Sequence, residues 1–174
     1  MRKLLLLLLA AHVLISSCNK PEDTAVPDNT RQTPAFRQAK PFSGTITFTQ
    51  SQTDDLSCNC TGYIDNGTFN GSGNFAHLGL TTSKIKPCIQ VDPDGIYVGY
   101  ECASLTAANG DVLNLNVQPY KLYFTPAGLV ATIHVLFDGG TGRFSNATGS
   151  FDADLAIDYA NVATLTVTAG SINY

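Results

Sequence analysis

Phe42-Ser43-Gly44-Thr45-Ile46-Thr47-Phe48-Thr49-Gln50 alternates without a break: Phe42, Gly44, Ile46 and Phe48 share one face of an extended chain, and Ser43, Thr45, Thr47 and Thr49 share the other. Successive side chains of a strand point to opposite faces, so this period of two describes a half-buried β-strand with an apolar inner face. Comparable runs follow near 73–82, 96–107, 111–117, 119–125, 129–138, 151–159 and 162–173. Turn residues stand between several of them. Pro93-Asp94-Gly95 suits a reverse turn, Asn109-Gly110 offers the positive φ of a tight hairpin, and Pro126-Ala127-Gly128 separates two further runs. Short strands joined in series by tight turns predict an all-β domain over 42–174. The expected form is a single antiparallel β-barrel of about eight strands, with a sandwich as the alternative, since closure removes unpaired edges.

The run 129–138 breaks the alternation. Leu129, Ala131, Ile133, Val135 and Phe137 on one face are opposed by Val130, Thr132, His134 and Leu136. Apolar residues at both parities predict a strand covered on both sides. A second layer, the N-terminal segment or a partner subunit in a homo-oligomer would supply that cover. The chain as a whole has 174 residues, 44% of them hydrophobic and 14% charged, which suits one globular domain rather than a disordered polymer. Its formal charge of −4 lacks the basic footprint of a nucleic-acid binder, so no nucleic acid is expected as a partner.

Ahead of the domain, Arg2-Lys3 precedes Leu4 to Leu9 and Ala10-Ala11, the layout of a secretory signal over residues 1–17. The apolar run, interrupted by His12, is shorter than the roughly 20 residues that span a bilayer. Ile15-Ser16-Ser17-Cys18 resembles a bacterial lipobox, in which an aliphatic and two small residues precede the cysteine that is lipidated. The resemblance implies a protein anchored in the bacterial cell envelope by a lipid on Cys18, periplasmic or at the cell surface. An ordinary cleaved signal, with Cys18 as a spare thiol, is the other reading. Residues 18–41 are polar, contain Pro21, Pro27, Pro34 and Pro41, and read as an extended tether.

The stretch from Asp138 to Phe151, DGGTGRFSNATGSF, resembles the GGTGRFxxATG hairpin of bacterial proteins similar to the allene oxide cyclase and dirigent barrels. Gly73 to Gly79 is similar to a further strand of those proteins, and Ala108-Asn109-Gly110-Asp111 to one of their turns. The resemblance implies an eight-stranded antiparallel barrel with an apolar lumen, and no activity for the bacterial branch. Read physically, Gly139, Gly140 and Gly142 permit a tight positive-φ connection, and Arg143 can fork onto carbonyls or a carboxylate such as Asp138 or Asp152. A phosphate cradle is the sharper alternative, but such loops are followed by a helix N-terminus, whereas Ser150 to Ala156 reads as a strand.

Cys58, Cys60, Cys88 and Cys102 are an even set in an exported domain, which predicts two disulfides. One residue separates Cys58 from Cys60, so each is expected to pair with Cys88 or Cys102, in either arrangement. A four-thiolate zinc site, with His77 as a further ligand, is disfavoured because its close pairs are normally two to four residues apart. No metal or cofactor is expected.

Glu101, Tyr100, His77 and His134 are the candidates for polar groups inside a lumen, where an acid in apolar surroundings would have a raised pKa and could move protons. The alternative is that Glu101 faces solvent and both histidines are structural. No G-x-S-x-G string supports a hydrolase. Asp92-Pro93-Asp94-Gly95 lacks the further ligands of a calcium loop and reads as a turn. The expected function is binding of a small apolar ligand or an envelope partner, with no catalysis claimed. An allene oxide cyclase-like isomerase or cyclase acting in the lumen is the alternative.

Overall fold

A computed structural model of the protein describes residues 38–53, 56 and 58–174, apart from the side chains of Tyr100 and Glu101. The expected signal, the expected lipidation site Cys18 and the expected tether up to residue 37 lie outside the described residues. The strands are β1 (Lys40–Pro41), β2 (Gly44–Gln50), β3 (Ile64–Asp65), β4 (Phe69–Phe75), β5 (Gly79–Asp92), β6 (Gly95–Thr106), β7 (Val112–Val117), β8 (Tyr120–Thr125), β9 (Gly128–Gly140), β10 (Thr148–Ile157) and β11 (Ala163–Asn173). A single 3-10 turn, Gly142–Phe144, lies between β9 and β10.

The pairing runs β5-β4-β2-β11-β10-β9-β7-β6 and returns from β6 to β5, so the antiparallel strands form a ring. Strands that follow one another in sequence are neighbours almost throughout, the meander that serial tight turns predict. β7 and β8 share one position: β7 pairs with Cys102–Thr106 of β6, and β8 pairs with Ile96–Val98. The break between them falls at Gln118-Pro119, where proline supplies no N–H to a ladder. Across the break the pairing to β9 is interrupted, resuming from Val117↔Val135 at Tyr123↔Val130.

One hydrophobic cluster fills the ring, with members from Phe42 to Ile172. Its aromatic part gathers at one end, where the Phe42 ring lies 5.4 Å from Phe75, 4.9 Å from Phe137 and 5.4 Å from Phe151. Phe144, carried by the 3-10 turn, is fully buried beneath Tyr174, with ring centroids 5.1 Å apart. Rings at these separations gain from edge and tilted contacts beyond their buried area.

At the opposite end, two disulfides strap the loop between β2 and β3 across the outside of β5 and β6. Cys58 pairs with Cys102 at a Cα separation of 6.0 Å, and Cys60 pairs with Cys88 at 5.2 Å. This is one of the two expected arrangements, and it leaves no free thiol among the four. Lys86 shares the outward parity of Thr82 and Lys84 on β5, yet it is buried under this strap. Its Nζ donates to the Leu56 carbonyl at 3.3 Å and to Asp65 Oδ2 at 2.8 Å, the pairing that a desolvated ammonium requires.

Three expectations are corrected. The run 73–82 is not one strand: it turns at Ala76–Leu78, where His77 is left-handed (φ 69°) and the Leu78 N–H donates to the Phe75 carbonyl. Strand β5 then continues to Asp92, a stretch the alternation hid because Lys86, Pro87 and Cys88 are buried consecutively under the strap. The N-terminal segment or partner subunit expected to cover β9 lies outside the described residues; within them one face of β9 is buried and Val130 and Leu136 on the other are exposed. Lys40–Pro41, assigned to the tether, pair with Ile172 and Ser171 of β11.

Candidate functional site

Space is distributed unequally between the inside and the outside of the ring. Inside, a cavity of about 40 Å³ is walled by residues from all the ring strands and has Ser83 as its one hydroxyl besides Tyr120. The Ser83 Oγ is already committed, donating to the Ser104 carbonyl at 2.7 Å. A second space of about 70 Å³ opens towards the strapped end and shares Ile85, Tyr120 and Leu155 with the first.

At the rim and on the outer wall, two grooves flank β8. The first, about 520 Å³, lies at the rim by the β5–β6 turn, where Val91, Ile96, Leu122 and Phe124 meet Lys121 and Tyr123; the second, about 600 Å³, lies on the outside over the interrupted seam between β8 and β9 and reaches Asp154 on β10. Both are lined by Lys121 and Tyr123. The seam exists because Pro119 ends β7 and β8 starts afresh, so β9, still paired with β10, lacks a ladder on its other side between Val130 and Val135.

Between the grooves stands a small polar network. Lys121 Nζ donates to Asp94 Oδ2 at 3.0 Å, and the Tyr97 hydroxyl donates to the same oxygen at 2.6 Å. The Lys121 ammonium also lies 4.9 Å from the centre of the Tyr97 ring and 5.8 Å from that of Tyr123, within reach of a cation–π attraction. The Tyr97 hydroxyl, followed by Lys121, holds the Asp94 carboxyl below its usual range, and Tyr97 and Asp94 together raise the Lys121 ammonium above its ordinary value. Gly95 makes the arrangement fit, because a Cβ there would stand 2.6 Å from Lys121 Cε. Beside the network, Val91, Tyr123 and Phe124 remain 59%, 58% and 75% exposed.

The residues singled out in the sequence are scattered. His77 sits in the β4–β5 turn at the aromatic end and its Nε2 donates to the Pro41 carbonyl at 3.0 Å. His134 faces outward on β9, its Nδ1 2.7 Å from Asp152 Oδ1, with both side chains about half exposed. Neither histidine lines the lumen. The backbones of Tyr100 and Glu101 pair with Cys88 and Pro87 of β5, and their side chains lie outside the described residues.

In the glycine-rich connection Gly139 (φ 63°) and Gly142 (φ 53°) are left-handed, as a tight turn demands. Arg143 takes Asp111 as its carboxylate, Nε to Oδ2 3.6 Å, in place of Asp138 or Asp152. Within the Asn109-Gly110 turn only Gly110 has positive φ (88°), while Asn109 Oδ1 accepts the Asp111 N–H.

Reasoning from sequence missed Tyr97, Asp94, Lys121 and Tyr123 as a group. One signal was present: Tyr120, Leu122 and Phe124 at one parity of β8 are joined by Tyr123 at the other, an aromatic on the face that alternation assigns to solvent. No protein-family model matches the chain, and neither a curated protein nor a solved structure matches it.

Proposed function

We propose that this chain is an exported, lipid-anchored β-barrel module that binds a component of the cell envelope through its outer wall. The observation that carries the reading is the contrast in space: about 40 and 70 Å³ inside the ring against about 520 Å³ at its rim and about 600 Å³ on its outer wall. Ligand sites typically run from about 300 to 1,000 Å³, a range the grooves reach and the lumen does not. The barrel form is favoured over a sandwich because residues of every ring strand line one axial cavity. Anchoring rests on the lipobox-like Ile15 to Cys18 and the polar tether behind it. The two disulfides are consistent with maturation outside a reducing cytoplasm. Resemblance to the allene oxide cyclase and dirigent barrels bears on architecture alone, since one fold hosts many functions.

Co-sedimentation with isolated envelope fragments tests the reading. The wild-type protein is expected to be retained, and the double variant Tyr123→Asp/Phe124→Asp to lose about tenfold in retention, as a truncated interface centre does. Unchanged retention of that variant, together with an apolar molecule released only on denaturation in a native mass spectrum, would return the function to the lumen and to the ligand or cyclase readings.

A further inference from the structure

At the filled end of the ring, away from both grooves, we infer a site for a phosphate group between Arg143 and Lys40. The glycine-rich connection before β10 builds its first half. Thr141 gives the 3-10 turn Gly142–Phe144 no side-chain cap, and the acceptor at its start is instead the Asp111 carboxylate, which takes the Arg143 backbone N–H at 3.4 Å and meets Arg143 Nε at 3.6 Å. Gly142 is required there, because a Cβ would collide with Asp111 Oδ1. The backbone cradle is therefore filled from within, and its effect is to orient Arg143. Asp111 holds one edge of the guanidinium, and the Phe144 ring, 4.7 Å from Arg143 Cζ, holds a face. Among the described residues the remaining Nη edge has no acceptor.

Arg143 borders a polar space of about 420 Å³ that it lines with Gly142, Ser145, Asn146 and Tyr174. Ser145 and Tyr174 bring hydroxyls and Asn146 an amide NH2. A second cation stands against the same Tyr174 ring: Lys40 Nζ lies 4.1 Å from its centroid and has no carboxylate partner among the described residues. A fork, an ammonium and three neutral donors exceed what the two oxygens of a carboxylate can use, and they suit the three terminal oxygens and the larger charge of a phosphate group. Charge also selects this end. Asp92, Asp94 and Asp154 outnumber Lys121 along the grooves, whereas residues 29–53 contain Arg31, Arg37 and Lys40 and no acid. The chain enters the domain here, through the pairing of Lys40–Pro41 with β11, so the proposed lipid on Cys18 would bring membrane headgroups towards the same end. Headgroup phosphate and free phosphate present one chemistry, and the test separates them.

Heteronuclear NMR of the full oxidised chain carrying Cys18→Ser, which takes no lipid, tests the inference with inorganic phosphate added at constant ionic strength. The amides of Gly142, Ser145 and Asn146 and the Arg143 side-chain N–H are expected to shift and to saturate. Arg143→Gln should weaken the titration about tenfold, and Lys40→Gln, at an exposed position of the two-residue β1, about threefold. Lys84→Gln, exposed on β5, should leave it unchanged. Shifts that never saturate, or a titration that neither Arg143→Gln nor Lys40→Gln weakens, overturn the inference. Vesicles then name the source. Retention on an equal mixture of phosphatidylglycerol and phosphatidylcholine that exceeds retention on phosphatidylcholine alone, is competed by inorganic phosphate and is lost in Lys40→Gln/Arg143→Gln assigns the site to headgroups. Saturation with inorganic phosphate and no extra retention on phosphatidylglycerol assigns it to a free phosphate or a soluble monoester.

Discussion

The two ends of the ring are built from the same alternating strands and finished in opposite ways. One end is filled by Phe42, Phe75, Phe137 and Phe151 and closed by the turn carrying Phe144. The other is lined mainly by aliphatic residues, with Phe69 and Tyr120 among them, leaves a small opening, and is held by a disulfide strap. Aromatic rings fill the section of a small ring of strands and remove space from it. Covalent bonds hold a section that packing leaves incomplete, and that section carries the exposed rings of β8.

Core truncation should separate the ends most sharply. Phe42→Ala is expected to cost about 3–5 kcal/mol, as a buried Phe does, whereas Phe124→Ala at the open rim should stay within about 0.5 kcal/mol. Urea unfolding monitored by circular dichroism reads both, and equal losses would abolish the distinction. Removing the Cys60–Cys88 bridge, whose partners are 28 residues apart, should cost about 2–4 kcal/mol. Hydrogen exchange should then show β5 and β6 near Cys88 losing protection first, while Phe75 and Phe137 at the filled end keep theirs. Gly139→Ala asks a side chain to adopt φ 63° with a Cβ 3.1 Å from the Ser145 carbonyl oxygen, an expected loss of about 1–2 kcal/mol confined to the filled end.

The smallest effect is electrostatic and belongs to the open end. Because the folded Asp94 carboxyl lies below its ordinary 3.8, the stability it adds is complete above that value and is lost as pH falls through the lowered one. Lys121 is shifted upward from 10.5, so its contribution is complete below that value and is lost only as pH rises through the raised one. Asp94→Asn should therefore flatten the acid limb of the stability curve and leave the neutral region level, with carboxyl NMR following the titration directly. Gly95→Ala, by displacing Lys121, should return the Asp94 carboxyl towards 3.8.

The ring was legible wherever one face of a strand is wet. In β2, Ile46 and Phe48 are buried while Thr45, Thr47 and Thr49 are exposed, so polarity records the fold residue by residue. Legibility failed where tertiary contacts cover the outward face, as over Lys86 to Cys88. The β4–β5 turn was hidden for a different reason, because His77 carries none of the usual turn signals while adopting a left-handed angle. The candidate site was hardly legible. Lys121, Asp94 and Tyr97 belong to strands and a turn that meet only through the β6–β8 pairing, and no local pattern announces a contact across 27 residues.

By itself, the sequence determined an all-β chain of serial antiparallel strands, the presence of two disulfides among four cysteines, and the glycine-built turn before β10. Each follows from side-chain period, cysteine parity or backbone sterics, which act over a few residues or by counting. Only the tertiary structure decided that Cys58 takes Cys102 and Cys60 takes Cys88, that the histidines stand outside the lumen, and that the lumen is narrow while the wall beside β8 is grooved. These depend on ring closure, which sets how far each inward side chain reaches across and which outward ones become neighbours.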